Sequence, residues 1–247
     1  MNWIRGWMAL VVLALFFVVC AAQADAEAIA EPDAVEQVDL WTAIAPKIAP
    51  RRVQVLNDMI VKHLARNGFD VPDNPVWGGT QLDMWAERLP ESTVAYAEPR
   101  GTVMNPDWVD FADSAWPPMI DTVRILIHEN LHQIQAVPNH AYGYWTPQQR
   151  AVEEGRVEAA AILLGDTFMR RHWPRARYTA MGEAYASCVR VIRVTATRAT
   201  DSKLKTRSAR SYLLWMMRAD INEAVDAAYM YGQPDDLVAC EAETNQD

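Results

Sequence analysis

The stretch ILIHENLHQI, residues 125–134, decides how the rest of the chain is read. It carries two of the chain's five histidines, four residues apart, with a glutamate directly after the first. On an α-helix, residues four apart share a face, so His128 and His132 project side by side and can offer ring nitrogens to one ion. Glu129 stands one step round the helix, beside such an ion and not on it. That is where a base must stand to take a proton from an activated water. The flanking Ile125, Leu126, Ile127, Asn130, Leu131, Gln133 and Ile134 are uncharged, and no proline interrupts them. Such a helix is expected to be largely buried. Buried imidazoles and a buried carboxylate are costly without partners, and a zinc ion would partner all three. The competing reading is a helix whose histidines bond neighbouring side chains.

Zinc needs at least one more protein ligand. Downstream, TPQQ at 146–149 announces a helix, with Thr146 as N-cap, Pro147 at the first position and Gln149 closing a capping box. It runs through VEEGRVEA, residues 152–159, which carries Glu153, Glu154 and Glu158. ILIHENLHQI followed by VEEGRVEA resembles the zincin metallopeptidases of the gluzincin type. The resemblance covers residues 117–165, two helices of the chain. It implies a zinc peptidase with one Zn2+ per chain, held by His128, His132 and Glu154, and with Glu129 as the catalytic base. It matches Glu158 to the carboxylate that orients a ligating histidine through its free ring N–H. The 21 residues between His132 and Glu154 make a gap slightly longer than is usual in that group. No H-x-x-G-x-x-H follows, which excludes the metzincin branch. No cysteine stands between Gln23 and His128, which excludes the deformylase arrangement.

The helix after TPQQ is apolar nearly all round, so periodicity cannot choose among its glutamates. Two arguments favour Glu154. It precedes Gly155, where a missing side chain would let the two site helices approach. It also leaves Glu158 one turn away, whereas choosing Glu153 would put Val157 in the supporting position. Glu153 is therefore expected to contribute little to the ion. The resemblance further implies a Tyr or His donor to the developing oxyanion. Tyr178 and Tyr185 are the candidates, on an expected helical stripe Tyr178, Met181, Tyr185, Cys188, Ile192. His140, Tyr142 and Tyr144 are secondary ones.

The fold class expected is α+β and mostly helical: a small sheet or hairpin over the HENLH helix, with a helical C-terminal part. The hairpin is placed at 92–111, from TVAYA and TVM around the turn EPRG. It is the one clear strand region, and it suggests strand addition of an extended peptide substrate by analogy. FDVPDNPVWGGTQ, residues 69–81, reads as loop. Helices are expected at 51–67 with Gly68 as stop, 117–137, 178–195, 203–217 and 219–230. His63, in a last turn, is expected on the surface.

The first 24 residues carry one basic residue, an apolar run and A-x-A sites, which is the pattern of an export signal. Residues 25–40 form an acidic leader, and 41–247 one catalytic domain. Removing 1–24 lowers Lys+Arg from 23 to 22 against 32 Asp+Glu, giving a mature charge of −10. An acidic exported chain is not expected to bind nucleic acid or to stay inserted in a membrane once the signal is cleaved. Cys188 and Cys240 remain in the mature chain, as a disulfide or as two core thiols. The function expected is an exported, periplasmic or extracellular, zinc-dependent peptidase acting on peptide or protein substrates, anchored to the membrane if the signal stays uncleaved. Two alternatives stand beside it: a secreted binding module with a degenerate zincin fold, and a zinc hydrolase of non-peptide amides or esters.

Overall fold

The computed structural model describes residues 49–78, 94–98, 101–134, 145–176, 185–202 and 208–244. All of them belong to one packing unit, Pro46–Asp247. In chain order the elements are α1 (Arg51–Arg66), β1 (Val76–Gly78), β2 (Ala95–Glu98), β3 (Gly101–Met104), α2 (Pro106–Ser114), α3 (Ile120–Ile134), α4 (Pro147–His172), α5 (Ala186–Ser202), α6 (Ala209–Met216), α7 (Ile221–Tyr231) and α8 (Pro234–Thr244). The chain is thus mostly helical with a small three-stranded sheet, the α+β class expected.

The sheet has the order β1-β3-β2. β2 and β3 form the expected antiparallel hairpin, with Glu98 opposite Gly101 and Ala95 opposite Met104. Its second strand ends sooner than expected. Asn105–Pro106 opens α2 instead, because a polar residue followed by Pro starts a helix, and Val109 N–H donates to the Asn105 carbonyl at 3.0 Å. β1 lies in the segment read as loop. It pairs in parallel with β3, Val76 opposite Thr102. Three residues between Pro75 and Gly79 carry too little alternation to register as a strand. Tertiary partners make it one: the Gln54 side chain of α1 donates to the Val76 carbonyl at 2.6 Å and accepts from its N–H at 3.1 Å, as a neighbouring strand would.

α3 and α4 are the central helices. α3 packs on α4, α1, β2 and β3, while α4 also meets α5, α6, α7 and α8. Ile120, Val123, Leu126, Ile127 and Leu131 of α3 are fully buried. A helix covered on all sides has no polar face to display, which is why α4 shows weak periodicity. Ala159, Ala160 and Ala161 let its neighbours approach. Its N-terminus carries the expected capping box, Gln149 N–H to Thr146 Oγ1 at 3.2 Å and Thr146 N–H to Gln149 Oε1 at 2.9 Å.

Expectations for α5, for α6 and α7 and for His63 are corrected, one helix is added, and the disulfide reading of the two cysteines holds. α5 begins at Ala186, after Tyr185 at φ 49, so Tyr185 is not part of a helical stripe. α6 and α7 are shorter than, or shifted from, the expected 203–217 and 219–230. α8, which sequence reading left unassigned, packs on α5 and α4, and Cys188 of α5 is bonded to Cys240 of α8. His63 is buried, not on the surface: its ring meets the edge of Phe168 at 5.4 Å. Among the described residues no helix is long and apolar enough to cross a membrane. The expected export signal and leader lie outside the described residues.

Candidate metal centre

His128 and His132 stand on α3 as their spacing requires, with ring centroids 4.7 Å apart. Their Nε2 atoms face each other at 3.0 Å. Glu154 of α4 closes the triangle: its Oε2 lies 3.3 Å from His128 Nε2 and 3.4 Å from His132 Nε2. These three residues form a group that could hold a metal ion. A tetrahedral ion about 2.0–2.1 Å from each donor sets donor–donor edges of about 3.3–3.4 Å. The triangle therefore fits a small divalent ion with imidazole and carboxylate donors without rearrangement of the two helices.

Both rings are backed by carboxylates on their far side. His128 Nδ1 is 2.9 Å from Glu158 Oε2, a full hydrogen bond with the ring N–H donating. His132 Nδ1 faces Glu153 Oε1 at 3.6 Å, an ion-pair distance. Glu153, expected to contribute little to the ion, thus lies against the ring of the second histidine. Its other oxygen accepts from Arg156 Nε at 2.6 Å, and both residues are 1% exposed. The Arg156 guanidinium also donates to the carbonyls of Met216 at 2.7 Å and Ala219 at 2.9 Å.

The electrostatics follow from burying four carboxylates around two imidazoles. Burial alone would lower both histidines. Glu154 and Glu158 outweigh it and raise His128 well above its usual range, while Glu154 and Glu153 raise His132 to about 9. Burial pushes Glu154 up, but the two histidines prevail and hold its carboxyl far below the ordinary range. Glu129, next to His128 and buried, is raised chiefly by burial, against the pull of both histidines.

The remaining side chains of the motif hold the helix in place. Asn130 donates to Asn57 Oδ1 of α1 at 2.8 Å, and Asn57 to the Asn74 carbonyl at 3.1 Å. Asn74 donates to Gln133 Oε1 at 3.1 Å, and Gln133 to Thr102 Oγ1 of β3 at 3.0 Å. This amide chain ties α3 to α1 and to the sheet.

Gly155 acts differently from what sequence reading expects. A Cβ there would lie 2.8 Å from Cys188 Cβ and 2.9 Å from its carbonyl oxygen, so Gly155 brings α4 against α5. The close approach of α4 to α3 is at Gly165 instead, where a Cβ would meet Arg124, Ile120 and Ile127.

Tyr185 lies with its ring stacked on His128, centroids 6.2 Å apart at 17°. Tyr178, His140, Tyr142 and Tyr144 lie outside the described residues. Comparison with protein-family models, with curated proteins and with solved structures finds no match for this chain in any of the three.

Proposed function

We propose that the chain is an exported, single-zinc hydrolase of peptide bonds with a zincin-like active site, built on His128, His132 and Glu154. The observation that carries this reading is the triangle of Nε2, Nε2 and Oε2 atoms, 3.0, 3.3 and 3.4 Å on its edges, with a buried glutamate next to the first histidine. Without an ion the same atoms form ion pairs between protonated histidines and Glu154; edges close to those of a tetrahedral zinc site support the metal reading. When bound, zinc would polarise water and the scissile carbonyl.

The chain's own groups do the rest. Glu158 fixes the ring of His128 through Nδ1, which makes Nε2 the nitrogen that would give up its proton and bind the ion. Glu129, buried beside His128, would take the proton of the attacking water on its carboxylate and deliver it to the leaving amine. Tyr185, against His128, is the described candidate for donating a hydrogen bond to the oxyanion. β2, at the outer position of the described sheet and packed on α3, is where an extended peptide would align. The Cys188–Cys240 bond supports an oxidising compartment, periplasmic or extracellular.

Digestion of a mixed peptide library by the mature protein, with and without chelator, tests the reading. Cleavage that stops with chelator and returns with zinc is expected. Cleavage that persists in chelator, or absence of cleavage by zinc-loaded protein, overturns it.

A further inference from the structure

We infer that Arg156 is a positioning residue for the metal centre, acting through Glu153 on His132 and tying that ligand to the α6–α7 junction. This rests on the reading of the site as a metal centre. Arg156 is among the largest fully buried side chains of the protein, and a guanidinium is buried only where its donors and its charge are matched. Here they are divided between two purposes. Nε and Nη2 both go to one oxygen of Glu153, Oε2. Nη1 goes to the carbonyls of Met216 and Ala219, at the end of α6 and before α7.

The division has a consequence for Glu153. With Oε2 saturated by Arg156, the carboxylate is left with Oε1, and Oε1 is the atom that faces His132 Nδ1 at 3.6 Å. A carboxylate opposite the far nitrogen of a ligating imidazole fixes the ring and increases its donor strength. Among the described residues, Glu158 does this for His128 with no arginine or lysine paired to it. Glu153 acts on His132 by its charge, at 3.6 Å, from a position set by the guanidinium. Without Arg156 the buried Glu153 carboxylate has one fewer partner and its side chain turns toward the nearest remaining donor, which changes its distance from His132. The α6–α7 junction, Met216–Ala219, is in this way two side chains away from a metal ligand.

The test is zinc affinity of the full mature protein, by competition with a chromogenic chelator, together with the visible spectrum of the cobalt-substituted protein. Glu153→Gln keeps the volume and loses the charge, and should weaken zinc binding about tenfold, as loss of a ligand's supporting partner does. Arg156→Met should weaken it by a similar factor and shift the cobalt bands. In the Glu153→Gln background Arg156→Met should cost less than about threefold, since its route to His132 is already cut. Equal losses in the two backgrounds would mean a general packing role and overturn the inference. Parental affinity and spectrum in Glu153→Gln would overturn it as well. If Arg156→Met does not fold, Arg156→Lys replaces it: one ammonium cannot span Glu153 and both carbonyls, so an intermediate loss is expected, and parental behaviour counts against the inference. Failure of the parent itself to bind zinc would instead reject the metal-centre reading.

Discussion

Glu129 differs from its neighbours in the site by touching the proposed chemistry without holding the ion. Glu129→Gln should therefore keep zinc and lose turnover by about a hundredfold or more, the share a positioned base contributes. Peptide cleavage rates set beside metal content of the variant check this, and near-parental cleavage would remove Glu129 from the role. His63 gives a second prediction. Burial, aided by His172, Arg171 and Arg66 and opposed by a Leu164 backbone contact, lowers its pKa to about 4. In the unfolded chain it protonates near 6.5. Between these values the unfolded state binds more protons than the folded one, so stability falls as pH drops from 6.5 to about 4. His63→Leu has nothing to protonate there. Denaturant titrations of parent and variant across that window should diverge toward acid, and parallel curves would contradict the assignment. His128, Glu129 and His132 are legible in the sequence because helical geometry alone fixes a four-residue spacing. Glu153 and Arg156 are not, since their meaning depends on a second helix and on carbonyls 60 and 63 residues away.

At the scale of elements, the packing of α4 between α3 and α5 decides whether Glu154 reaches the triangle. Gly155→Ala would set a methyl 2.8 Å from Cys188 Cβ and 2.9 Å from a backbone carbonyl oxygen. Neither atom can give way without moving α5, whose position is tied to α8 through Cys188–Cys240. Overpacking of this kind costs about 1–3 kcal/mol, and displacing α4 should also weaken zinc binding through Glu154. A denaturant midpoint and a chelator titration on the same variant check both, and parental values in both would show that the contact relaxes freely. The hairpin β2–β3 and the cap of α4 are legible because turn chemistry and capping are local. β1, α2 and α8 are not. β1 is made by Gln54 and β3, α2 borrows a segment that continues an apparent strand, and α8 gains its place from a disulfide and from packing on α5. Gly155 was visible as important, but which helix it admits is a property of the assembled core.

For the whole molecule, the proposed ion and the fold are linked. His128 and His132 come from α3 and Glu154 from α4, and the unfolded chain does not hold them together, so on the proposed reading the free energy of zinc binding would add to that of folding. Chelation should lower the melting temperature of the mature protein, and zinc should restore it; a melting curve indifferent to both would separate the ion from the fold. The most direct measurement is elemental analysis of mature protein reconstituted with zinc and freed of excess. His128, His132 and Glu154 make one group of donors that could hold a metal ion, so about one zinc per chain is expected on the proposed reading. Less than about a tenth of an equivalent would contradict it.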